Sequence, residues 1–92
     1  MQMSLKISEI QIIPVKASDG LVGFTSFVIE NSFYMGGIGI YTRPQGGIRL
    51  TYPIKNHPSG AIPIFHPINN WVGEQICDAV SKKYNEVMLK IK

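Results

Sequence analysis

The run from Trp71 to about Ile91 constrains this chain more than any other stretch. Val72, Ile76, Ala79, Val80, Tyr84, Val87, Met88 and Ile91 recur at steps of three and four, the spacing of one apolar stripe on an α-helix. Asp78, Ser81, Lys82, Asn85 and Glu86 fall mostly on the other side. The start is marked as well. Pro67 restricts His66 to extended geometry, and Asn69 and Asn70 both carry side-chain oxygens that accept from free amides of a first turn. Glu74 is expected in that first turn and Lys90 and Lys92 at the far end, each where its charge suits the helix dipole.

Everything before His66 has strand and turn character. Ile7 to Val15 predicts a first strand, with Ile10 and Ile12 alternating with Glu9 and Gln11. Pro14 cannot donate a ladder hydrogen bond, so this strand is expected at an edge or with a bulge. Lys16 to Gly20 predicts a turn, Asp19-Gly20 being a strong hairpin signal. Leu21 to Glu30 predicts a second strand. Apolar residues on both of its faces place it centrally, or place another subunit over its second face. Glu30-Asn31-Ser32 turns the chain, and Phe33 to Tyr41 predicts a third strand weakened by Gly36, Gly37 and Gly39. A loop over 42–47, a fourth strand over 48–52, an exposed loop over 53–60 and a short fifth strand over 61–65 complete the reading. The fold class is therefore α+β: an antiparallel sheet of about five short strands followed by one C-terminal amphipathic helix.

A chain of 92 residues makes one domain, spanning 1–92, and its core is thin. With 45% hydrophobic but only 16% charged residues, oligomerisation into a homodimer is expected. The net charge of +3 permits a polyanionic partner without demanding one. Cys77 is alone, so no intrachain disulfide forms, which fits a reducing, cytoplasmic compartment. No apolar stretch approaches the roughly 20 residues of a membrane span, so no membrane partner is inferred.

The chemical constellations are sparse. Gly36-Gly37-Ile38-Gly39 lacks the following helix that a phosphate loop needs, since Ile40-Tyr41 continues a strand. Cys77 lies mid-helix beside Ile76 and Val80, where a small buried thiol is structural. His66 is expected as a turn histidine bonded to backbone. One Cys and two His supply no four-ligand zinc site per chain, and no carboxylates pair for acid–base work. No catalytic residue, metal or cofactor is assigned, and no small-molecule substrate is inferred. The basic residues Arg43, Arg49 and Lys55 on or beside loops, and Lys82 and Lys83 on the helix, are interleaved with Tyr34, Tyr41, Tyr52 and Trp71. Cations neutralise phosphates and aromatic faces stack bases; an ordinary solvated surface over core aromatics is the competing reading.

These features together resemble a known family. Ile7 to Val15, Asp19-Gly20, Glu30-Asn31 followed by Phe33, the Gly46-Gly47 turn, the Pro53-x-Lys55 loop closing at Pro58-Ser59-Gly60, His66-Pro67-Ile68-Asn69 and the helical run Ile76 to Tyr84 look like the stage V sporulation protein G (SpoVG) septation-regulator family. The resemblance implies a dimeric, cytoplasmic, non-catalytic regulator of septation, sporulation and gene expression that binds DNA or RNA. On that reading Lys55 leads as phosphate contact, with Asn56 beside it where the family usually has arginine, and Arg43, Arg49, Lys82 and Lys83 assist. Gly73 and Gln75 stand where the family usually carries Arg and Lys, and no acid stands in the run 60–65 before His66. Weak nucleic-acid binding is the expectation. A diverged interaction module that has kept the dimer and lost nucleic-acid binding is the alternative.

Overall fold

The computed structural model describes residues 4–91, so the expectation for Lys92 lies outside the described residues. Strands β1 (Ile7–Ser18), β2 (Leu21–Ile29), β3 (Phe33–Thr42) and β4 (Ile48–Thr51) form an antiparallel sheet in that order. β5 (Ile54–His57) and β6 (Gly60–Pro63) form a separate two-stranded ribbon, and α1 (Asn70–Ile91) follows. The expected α+β architecture is present, and no helix among the described residues is long and apolar enough to cross a membrane.

Turn chemistry sets the sheet. Asp19 and Gly20 both take positive φ, 52° and 90°, and let Ser18 pair directly with Leu21. Glu30 and Asn31 do the same at 52° and 54°, with the Ser32 amide donating to the Ile29 carbonyl at 2.9 Å. Neither is glycine. Contacts between Glu30 and Lys6 hold this turn: the Glu30 amide donates to the Lys6 carbonyl, and the Lys6 amide donates to the Glu30 carboxylate.

β1 is an edge strand, as Pro14 requires, and its register slips between Pro14 and Ser18. It runs on to Ser18, so the turn expected over 16–20 shrinks to two residues. A second slip lies between Ser8 and Gln11, where Glu9 takes φ 50°. β2 is central. In β3 the extra residue between Ile38 and Met35 falls at Gly36-Gly37, with Gly37 at φ 71°, so the bulge suggested by the glycines is there.

The register sorts side chains onto two faces. On one, Phe27, Ile38, Ile40 and Ile48 meet Ile76 and Val80 of α1 to form the buried core, with Val72, Cys77 and Tyr84 packed against it. Thr25 is the buried polar residue in this layer; its hydroxyl donates to the Gln11 carbonyl at 2.9 Å. The Asn69 carbonyl takes the Gly73 amide at 3.1 Å, which makes Asn69 the N-cap. Glu74 is not in the first turn as expected, because the helix begins at Asn70 and its first turn holds no acidic residue. Lys90 is in the last turn as expected.

The largest correction concerns residues 53–65. The expected exposed loop over 53–60 and strand over 61–65 are instead one hairpin. Ile54 pairs with Pro63, Lys55 with Ile62, Asn56 with Ala61 and His57 with Gly60. Pro58-Ser59 is its turn, which the His57 Nδ1 steadies by pairing with the Ser59 hydroxyl at 2.8 Å and accepting from the Ser59 amide at 3.2 Å. The histidine that organises a turn is thus His57, while His66 is exposed.

Tyr52 and Phe65 meet edge to face behind this hairpin, with centroids 6.0 Å apart at 73°. Burial first, and then the charge of Cys77 when ionised, push the Tyr52 phenol up to about 12 from its usual 10.0. The folded phenol holds its proton more tightly than the unfolded one. That stabilisation is complete below pH 10.0 and is lost as pH rises towards about 12. The melting temperature is therefore expected to fall across that window with a component absent from Tyr52→Phe. Identical alkaline profiles for the two proteins would contradict this.

Candidate nucleic-acid interface

The six residues singled out as phosphate contacts occupy four separate places. Lys55 and Asn56 lie on β5, both exposed on the ribbon. Successive strand residues point to opposite faces, so Lys55 shares a face with His57 and Ile62, and Asn56 shares the other with Ile54 and Ala61. A loop would have left the two side chains free to converge; the strand separates them. All eight ribbon residues are exposed, including Ile54 and Ile62 at about half their surface. A two-stranded ribbon is marginal by itself, and these isoleucines are surface that a further contact would cover.

Arg43 opens the loop between β3 and β4. Its amide donates to the Gly47 carbonyl at 3.0 Å, and the Gly46 amide donates back to the Arg43 carbonyl at 3.0 Å. Gly46 and Gly47, at φ 101° and 80°, are needed for that closure. Arg43 then faces the first half of α1 across a groove of about 670 Å³. Glu74 and Asp78 line the same groove, so its charge is mixed, which the sequence did not reveal. Cys77 lies on its floor. Burial is the main influence on that thiol and pushes its pKa up; Arg43 opposes this and Asp78 adds to it. The protonated thiol donates to the Ile48 carbonyl at 3.6 Å. Cys77 is half-buried rather than buried as expected, and its raised pKa lowers the thiolate fraction on which reactivity depends.

Arg49 is on β4, cross-strand from Tyr41, with its guanidinium 4.6 Å from the Tyr41 ring centroid. Lys82 and Lys83 follow Ser81, the last groove residue on α1; Lys82 is exposed and Lys83 half-buried. The basic residues thus do not form one patch. The ribbon is exposed along its whole length, as is the Arg43 loop, so sequence reasoning located it correctly as a site of exposure but not as a strand pair.

An open antiparallel sheet backed by one C-terminal helix, with a separate exposed ribbon between them, defines a small α+β domain with dispersed cations. The family model described as SpoVG matches residues 5–86, and the chain belongs to that family. Among curated relatives, a protein of Archaeoglobus fulgidus named "Putative septation protein SpoVG" is 26% identical over 82 residues, 88% of this chain and 95% of that protein. A protein of the same name from Staphylococcus aureus is 24% identical over 84 residues, 90% of this chain and 83% of that protein.

Proposed function

We propose that this chain is a septation-related regulator of the cytoplasm, one domain over 1–92, that works as a homodimer and binds DNA or RNA weakly through phosphate contacts. The reading rests on family membership and on one structural observation: the β5–β6 ribbon stands clear of the core and holds Lys55 in solvent. A two-stranded ribbon is an element that a duplex major groove admits. The dimer is supported by exposed apolar side chains in the segment after the ribbon, Ile64 and Ile68, 60% and 86% exposed. Surface of this kind is what a second copy covers. Nothing in this role calls for catalysis.

Retention on heparin resin, followed by gel shifts with DNA and RNA at low and at moderate salt, tests the binding; a band that forms at low salt and weakens steeply with added salt is expected. Sedimentation at tens of micromolar is expected to give a dimer, and a monomer there would sink that part. The mixed charge of the groove, where Glu74 and Asp78 sit with Arg43, favours a second reading, an interaction module without nucleic-acid binding. Absence of any shift at low salt selects it.

A further inference from the structure

We propose that the outer face of the four-stranded sheet, the one turned away from α1, is a stacking surface for single-stranded nucleic acid. Tyr34, Phe24 and the Arg49–Tyr41 pair are its platforms. The inference rests on the nucleic-acid reading above and adds a second place and a strand preference to it.

The register puts these groups on one face. Phe24 pairs with Ile13 and Gly39, Tyr41 with Leu21 and Arg49, and Tyr34 with Val28. The core residues Phe27, Ile38 and Ile40 occupy the alternate positions and are fully buried against the helix side. Tyr34 is 74% exposed and Phe24 38%. An aromatic ring in solvent on an open sheet has no partner in the fold that accounts for it.

Glycines shape this face. A Cβ on Gly36 would fall 2.9 Å from Tyr34 Cε2 and 3.0 Å from its hydroxyl oxygen. Tyr34 therefore leans along its own strand over Gly36, where the missing Cβ makes room for its hydroxyl-bearing edge, and the rest of the ring is in water. A Cβ on Gly39 would fall 3.3 Å from Tyr41 Cε1 and 2.6 Å from Thr51 Oγ1, so Tyr41 lies close to its strand in the same way. The Arg49 guanidinium carbon lies over the Tyr41 ring, 4.6 Å from its centroid, and Arg49 is itself exposed. Flat aromatic rings and guanidinium planes are the surfaces on which unpaired bases stack.

Charge points to the same occupant. Among the described residues no carboxylate holds a paired position on this face; its paired polar members are Ser8, Gln11, Ser18, Ser26 and Thr51, and its paired charge is Arg49. From the Val28–Tyr34 pair to the Leu21–Tyr41 pair, β2 runs roughly 20 Å at the usual strand rise. That is room for a few stacked nucleotides, at the lower end of single-strand site sizes. A second copy would be expected to meet a continuous apolar surface, whereas here the polar Gln11–Ser26 row separates Ile13 and Phe24, 61% and 38% exposed, from Val28 and Tyr34.

The test measures fluorescence anisotropy of a labelled oligothymidylate and of a duplex of equal length, with the full chain at fixed low salt. Tyr34→Leu is expected to weaken the single strand about tenfold and to leave the duplex within twofold. Tyr34→Phe should restore single-strand binding, and Arg49→Lys, which keeps the charge and loses the plane, should weaken it. Equal single-strand affinity for Tyr34→Leu, Tyr34→Phe and the parent chain overturns the proposal; the phosphate reading survives that result when Lys55→Ala still weakens both probes. A parent chain that binds neither probe removes the phosphate reading first and this one with it. A change from dimer to monomer on Tyr34→Leu, read by sedimentation, assigns the face to a second copy and also overturns the proposal.

Discussion

Phe27→Ala is expected to cost about 3–5 kcal/mol of folding free energy, the largest effect of any single truncation in this chain. Phe27 is fully buried at the middle of the central strand, paired with Met35. Its ring also borders an apolar hollow of about 150 Å³ lined by Ile29, Met35, Tyr52, Phe65, Val72 and Ile76. Removing the ring enlarges a space that exists already. The walls cannot close over it, because sheet hydrogen bonds fix β2 and β3 on one side and α1 spans the other. A 92-residue domain has a stability of roughly 5–14 kcal/mol, so the loss is a large fraction of the whole. A fall in melting temperature on the order of 15 °C or more is expected, with an unchanged denaturant slope. Phe24→Ala is the control. Three residues away on the opposite face and 38% exposed, it should cost far less. Comparable losses at 24 and 27 would mean that both faces of the sheet are covered in solution.

The contrast in burial between the faces was not legible in the sequence, because both carry apolar residues. Which residues share a face was legible, because β2 alternates with period two through Thr25 and Phe27. The helix was legible for the same reason at period 3.6. Asp19-Gly20 announced its turn because glycine accepts the positive φ that the second position needs. The misreading of 53–60 also has a physical cause. Lys55-Asn56-His57 is polar on both faces because the ribbon has no core beneath either of them, so the alternation that marks a strand is missing. Two prolines then made the run resemble a loop, although Pro53 lies outside the ladder and Pro58 is in the turn. The Glu9 bulge was invisible because no glycine marks it. What was least legible is long-range placement. Arg43 facing Cys77, Glu74 and Asp78 across a groove depends on how α1 docks on the sheet, and no local pattern encodes that. The basic residues were therefore found as types and not as a geometry, and the structure disperses them.

On the proposed nucleic-acid reading, dispersal puts most weight on the ribbon. Lys55→Ala is expected to weaken binding to all sequences alike, since a lysine on phosphate carries no base information. In a two-fold dimer each ribbon appears twice, so the variant removes about two phosphate contacts and lowers the slope of log affinity against log salt by about two for duplex DNA. Each contact is worth roughly a factor of three to four between 50 and 200 mM salt, so the parent and Lys55→Ala should converge as salt rises. Asn56→Arg is expected to act in reverse, strengthening binding and steepening the slope. The two positions point to opposite faces of β5, yet a ribbon seated in a groove has phosphates along both walls, and neither face of this one is covered by the core. Gel shifts of the three proteins over a salt series measure both quantities at once. Weakening by Lys55→Ala with no gain from Asn56→Arg would confine the contact to the Lys55 face. If neither ribbon change alters binding while Lys82→Ala abolishes it, phosphate binding belongs to the helix, and the ribbon is left to the contact between copies that its exposed isoleucines already suggest.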